Sequence, residues 1–203
     1  MAPALLTFDI FGTVLDWRKG VGESDFDRIV DVQGDLEQQQ RFRTYTEIVA
    51  ESLVRVRRVD VVTAAGIAAQ AGNWPLFPDS RDALRRIRAV APCVATTNSD
   101  RAHGEQVQAQ LGFQLDGWIC AEEVRAYKPD RRIWEAAARN MAKSFDRSWW
   151  HVSAYADYDL RTARELGLTS VFVRRPHSRP GPADITVADL AALADLVETS
   201  ERP

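Results

Sequence analysis

Long apolar runs are missing from this chain. None approaches the roughly 20 residues that a membrane span requires, and the N-terminus MAPALLTFDI carries neither a basic leader nor a long apolar segment. The expectation is a cytoplasmic protein that meets no membrane. An excess of one charge is lacking too: 26 basic residues against 29 acidic leave a net charge of -3, which gives no electrostatic case for a nucleic-acid partner. Cysteine is scarce. Cys93 and Cys120 lie in separate apolar runs, without CxxC spacing or a neighbouring histidine cluster, so they read as buried thiols rather than a redox pair or metal site. His103 and His151 read as a helix residue without special role and a hydrogen-bonded core residue. Repeats and low-complexity tracts are absent as well, the Pro-rich stretch around Pro176 to Pro182 reading as a surface loop.

What is present suits one sizeable α/β domain. The chain has 203 residues, 45% of them hydrophobic, enough for a core of its own. Ala4 to Phe8 reads as a buried strand broken at Gly12 and Thr13. From Gly34 to Arg58 the pattern turns helical, with Tyr45, Ile48, Val49, Leu53 and Val56 on one stripe. A second helix over Val61 to Ala71 ends at the breakers from Gly72 to Pro78. Beyond that boundary, strand and helix alternate: helix Ser80–Ala91, strand Cys93–Thr97, helix Arg101–Leu111, strand Gly117–Cys120 and helix Asp130–Lys143. Strand Trp149–Ser153, helix Asp159–Leu166, strand Ser170–Arg174 and a terminal helix Val187–Val197 follow. Such alternation predicts a Rossmann-like parallel sheet with helices on both faces. Ligands of such sheets collect at the carboxyl ends of the strands.

Those ends carry chemistry. Asp9 with Gly12 and Thr13 closes the first strand; Thr97, Asn98 and Ser99 close the second; Ser153, Tyr155, Asp157 and Asp159 follow the fourth; Lys128 stands in AYKPD before a helix. Carboxylates, a lysine and hydroxyl and amide donors on one rim are an active-site composition.

In this order, the sequences Asp9-Ile10-Phe11-Gly12-Thr13, Thr97-Asn98, Lys128-Pro129-Asp130 and Ser153 to Asp159 resemble the four motifs of the haloacid dehalogenase superfamily. The resemblance covers nearly the whole chain. It implies a Rossmann-like core over residues 1–17 and 77–203 and a small α-helical cap over 18–76. It also implies a nucleophile, Asp9, that forms an ester later hydrolysed by water. Thr13 would hydrogen-bond the nucleophile, Lys128 keep it ionised, and Asp159 position or deprotonate the water. Ile10, Phe11, Arg41, Thr97, Asn98 and Tyr155 are the implied substrate contacts. For the cap arginine, alignment on Tyr45-Thr46 puts Gln39 in place, with Arg41 and Arg43 two and four residues later.

Two departures separate chemistries within the superfamily. Its phosphatases place an acid two residues after the nucleophile, to protonate the leaving alcohol; here it is Phe11. They hold magnesium partly through a Gly-Asp pair in the fourth motif; here the pair is Ser153-Ala154. A halide leaves without a proton, and displacement at carbon by a carboxylate needs no metal. The residues therefore fit hydrolytic dehalogenation of a small 2-haloacid, nearest to the L-2-haloacid dehalogenase branch, with a small anion as substrate and no cofactor. The alternatives are a magnesium-dependent phosphatase or other small-anion hydrolase, and a non-catalytic binding protein. Trp149 and Trp150 read as core packing or a subunit contact, which leaves a homodimer open.

Overall fold

The computed structural model describes residues 2–39 and 41–200. Six parallel strands form one sheet in the order β3-β2-β1-β4-β5-β6: β1 (Leu5–Phe8), β2 (Cys93–Thr97), β3 (Gly117–Cys120), β4 (Trp149–Ser153), β5 (Thr169–Val173) and β6 (Ile185–Val187). The first strand lies between β2 and β4, with Phe8 opposite Ala95 on one side and Val152 on the other. All of β1, β2, β4 and β5 is buried, the pattern of strands covered on both faces.

Among the described residues, ten α-helices surround it: α1 (Trp17–Val21), α2 (Phe26–Glu37), α3 (Tyr45–Arg57), α4 (Val61–Ala69), α5 (Ser80–Arg88), α6 (Arg101–Leu111), α7 (Ala121–Val124), α8 (Arg132–Met141), α9 (Arg161–Glu165) and α10 (Leu190–Ser200). Alternation along the strands sorts the core. Leu6 and Phe8 pack in one cluster with Leu84 and Ile87 of α5, Val107 of α6 and Leu193 of α10. Leu5, facing the other way, joins Ile133 and Trp134 of α8 and Ala163 of α9. Trp149 and Trp150 are 0% and 6% exposed, so the pair is spent on the chain's own core and offers no subunit contact.

Three expectations change. The helical stretch from Gly34 to Arg58 is two helices: α2 begins earlier, and α3 restarts at Thr44, whose hydroxyl accepts Glu47 N–H while the Glu47 carboxylate accepts Thr44 N–H. The helix expected from Asp159 is a π-helical turn, Ala156–Leu160, running into α9. The terminal helix begins only at Leu190, because Ile185–Val187 pairs with β5 as a sixth strand. Among the described residues, no helix is long and apolar enough to cross a membrane.

Candidate active site

The loop after β1 builds a tight turn on one carbonyl. Ile10 C=O accepts from Thr13, Val14 and Leu15 N–H, which reverses the chain and leaves Asp9 at the carboxyl edge of the sheet. Gly12 makes the turn possible, with φ of 92° and no room for a side chain: a Cβ there would lie 2.0 Å from Tyr155 Oη.

Asp9 is 3% exposed, and both its oxygens are held. Thr13 Oγ1 donates to Oδ2 at 2.6 Å and itself accepts Ala154 N–H at 2.9 Å. Lys128 Nζ donates to Oδ1 at 2.9 Å. The same ammonium donates to Asp159 Oδ2 at 2.8 Å, and Asp159 Oδ1 lies 3.0 Å from His151 Nε2. Behind the histidine, Thr7 Oγ1 lies 2.8 Å from Nδ1 and accepts Trp149 Nε1–H at 2.9 Å. One chain of contacts thus runs from the core of the sheet to Asp9. His151 is the hydrogen-bonded core residue expected, with Asp159 as its partner.

Burial and charge act against each other here. Asp159 would be raised by burial, but Lys128 and His151 outweigh that and hold it well below the carboxylate range. Burial disfavours the Lys128 ammonium, yet Asp159 and Asp9 together hold it above its ordinary value. Asp9 carries the remaining cost of burial: its carboxyl is pushed up, with Lys128 opposing and Asp159 adding. Among the described residues, no cluster of three or more His, Cys, Asp or Glu side chains is set to hold a metal ion. Between Asp9 and Asp159 sits the lysine ammonium.

In front of Asp9 opens a cavity of about 750 Å³. Phe11, Tyr155, Lys128 and Asn98 line it. Phe11 meets Tyr45 edge-on at 5.3 Å, and Trp17 Nε1–H donates to Tyr155 Oη at 2.9 Å. Asn98 clasps the lysine backbone, its Oδ1 accepting Lys128 N–H at 2.6 Å and its Nδ2 donating to Lys128 C=O at 3.3 Å.

Other expected contacts stand elsewhere. Ile10 is fully buried and shapes the turn with its carbonyl. Thr97 is buried and donates to Ser99 Oγ at 3.2 Å. Arg41 is exposed and outside the lining. Arg43 pairs with Glu51 at 2.6 Å, also outside it. Asp159, fully buried, touches the cavity only through Lys128.

In their place the lining holds residues that the sequence did not single out: Glu37 from α2, Tyr45 from α3, Tyr127, Tyr158 and Arg179. Glu37 had one legible signal, an acid closing a helix where the backbone dipole favours a cation. The tyrosines had none, since their apolar spacing is that of core residues.

A family model described as haloacid dehalogenase-like hydrolase matches residues 4–150. An (S)-2-haloacid dehalogenase of Pseudomonas putida is 34% identical over 101 residues, 48% of this chain and 44% of that protein; the match spans less than half of the relative. Among solved structures, a defluorinating L-2-haloacid dehalogenase superposes with a TM-score of 0.82 at 24% identity, over 97% of this chain and 95% of that one. The L-2-haloacid dehalogenase of Xanthobacter autotrophicus gives 0.82 at 16% identity, over 97% and 98%. At such identities the likeness is one of fold.

Proposed function

The chain belongs to the haloacid dehalogenase-like hydrolases, and from that premise we propose that it hydrolyses the carbon–halogen bond of a small 2-haloacid. Asp9 attacks the carbon bearing the halogen, the C–X bond breaks, and halide leaves with its electron pair. An Asp9 ester remains, which water cleaves to a 2-hydroxy acid and the restored carboxylate. Helices within 18–76 form the cap over a core of 1–17 and 77–203.

One observation carries the reading. Asp9 is buried, oriented by Thr13 and Lys128, and faces a cavity in which the residue two places on is Phe11. Desolvation makes the carboxylate a strong nucleophile, while the phenyl ring has no proton to give a leaving alkoxide. Lys128 supplies the positive charge that a divalent cation brings elsewhere, so the reaction proceeds without a metal or other cofactor. Resemblance to the Pseudomonas putida dehalogenase supports the same substrate class.

The test is halide release from L-2-chloropropionate, with and without EDTA, beside phosphate release from an aryl phosphate. Halide release that EDTA leaves intact is expected. Asp9→Asn abolishes it, because the amide neither attacks carbon nor forms the ester. Phosphate release lost in EDTA, with no halide from the wild type, would overturn the reading.

A further inference from the structure

The displacement at carbon leaves one buried titratable side chain unused. His151 is 0% exposed in the middle of β4, and the register of the sheet sets it opposite Thr7 of β1. Trp134 of α8 meets its ring edge-on at 5.3 Å. An apolar side chain would fill that place without two ring nitrogens to satisfy. The imidazole is instead tied to the site. Its Nε2 lies 3.0 Å from Asp159 Oδ1, and Lys128 Nζ links Asp159 Oδ2, at 2.8 Å, to Asp9 Oδ1, at 2.9 Å.

The hydrogen bonds around the ring run in one direction. Trp149 Nε1–H can only donate, and it donates to Thr7 Oγ1 at 2.9 Å. Thr7 has one hydroxyl proton, and of its two contacts only His151 Nδ1, at 2.8 Å, can accept it. The ring proton is therefore on Nε2, and it is donated to Asp159 Oδ1. With Lys128 on Oδ2, the carboxylate has a donor on each oxygen and a single orientation. Esterification changes what holds the lysine. Before attack its ammonium lies between two anions, Asp9 and Asp159. Once Asp9 is an ester it carries no charge, and of the two only Asp159 still pairs with the ammonium. The second chemical step therefore depends on the placement of Asp159 more than the first does.

We propose that His151 is a positioning residue for hydrolysis of the Asp9 ester, acting through Asp159. The assignment rests on the dehalogenase reading, in which Asp159 positions or deprotonates the water. The Nε2–H donor fixes that carboxylate from behind, and with it the ammonium beside the ester. A pH signature follows. Asp159 faces Lys128 from the loop before α8, His151 from β4, Asp9 from the loop after β1 and Tyr158 of the π-helical turn. Burial raises its carboxyl, and Lys128 and His151 together bring it well below the ordinary range. Without the histidine, burial is less opposed and the carboxyl rises. More of it is then protonated at a given acid pH.

The experiment mixes enzyme with 2-bromopropionate, quenches at intervals, and reads bromide together with the mass of the peptide bearing Asp9, each rate taken per site that gives a first turnover. His151→Phe keeps an aromatic ring and removes both nitrogens. It is expected to release its first bromide at close to the wild-type rate and then accumulate the ester, hydrolysis falling on the order of 10²-fold. His151→Gln, whose amide N–H stands in for Nε2–H, recovers part of that loss. Thr7→Val takes the donor from Nδ1, slows the same step by less, and carries the test if the phenylalanine variant does not fold. The acid-side fall of hydrolysis lies at higher pH in His151→Phe than in the wild type. A purely structural role lowers the number of competent sites and moves neither the ratio of the two steps nor that pH. Hydrolysis at the wild-type rate in His151→Phe overturns the proposal alone, as does an equal slowing of both steps, or a glutamine variant no faster than the phenylalanine one. A wild type that yields neither bromide nor adduct overturns the dehalogenase reading, and the His151 assignment with it.

Discussion

Lys128 is the residue on which the site's electrostatics turn. Its ammonium, with a fully buried side chain, lies within 2.9 Å of one carboxylate and 2.8 Å of another, and each acid without it is a buried charge with weaker compensation. Lys128→Met should therefore destabilise the fold by about 3–5 kcal/mol in urea melts, beyond what the lost packing explains. A pH signature accompanies it. Asp159 has a folded value below its unfolded one, so it stabilises the protein above the unfolded value, and that contribution disappears as pH falls through the folded value. Removing Lys128 weakens this acid-side slope, which melts between neutral pH and about pH 2 would show. Legibility at this scale was uneven. Asp9 and Thr13 were readable because they share a short motif at a strand end, and Lys128 because it stands in a short motif before a helix. Thr97 and Ile10 occupy such motifs yet point into the protein, and a motif carries no record of side-chain direction. Arg41 failed for another reason: its expected role depended on an alignment across the α2–α3 connection, where spacing is unconstrained.

At the scale of elements, one acid joins the sheet to the inserted helices. Asp100, at the start of α6 and 4% exposed, accepts Tyr45 N–H at 2.8 Å, and Thr46 N–H and Oγ1–H at 2.7 and 2.6 Å. A carboxylate from beyond β2 thereby holds the first turn of α3, where a negative charge suits the helix dipole, and fixes Tyr45 at the cavity. Asp100→Ala should cost about 1–3 kcal/mol of stability and raise KM for 2-chloropropionate more than it lowers kcat, since the partners of Asp9 are intact. Equal KM values in the two proteins would refute this. The sequence showed the apolar stripe of α3 but not this bond. Tyr45 and Asp100 are 55 residues apart, and only the fold brings them together. Likewise β6 escaped because three residues, Ile-Thr-Val, are too short a run to show a period of two.

For the whole molecule, the alternation of strand and helix was sufficient. Buried runs at β1, β2, β4 and β5, each followed by a helical pattern, leave few topologies open once crossovers are right-handed. The sheet's carboxyl edge then becomes the natural place for the site. What such reasoning leaves out is the charge of the cavity wall, because it is assembled from segments distant in sequence: Asp31 and Asp35 on one side, Asp130 and Asp157 on the other.

That wall has a consequence for the speed of capture. Its two cations, Lys128 and Arg179, are already paired with acids, so an approaching anion meets net repulsion, and ions in solution should shield it. Between about 0.01 M and about 0.15 M salt the screening length shrinks from about 30 Å to about 8 Å. In a sulfate salt, kcat/KM for 2-chloropropionate should climb across that range, while uncharged 2-chloropropionamide, if turned over, should show little change. A fall for the acid would mean that attraction governs the encounter. On this account the protein is a slow collector of its substrate in dilute buffer and a faster one at the ionic strength of a cell.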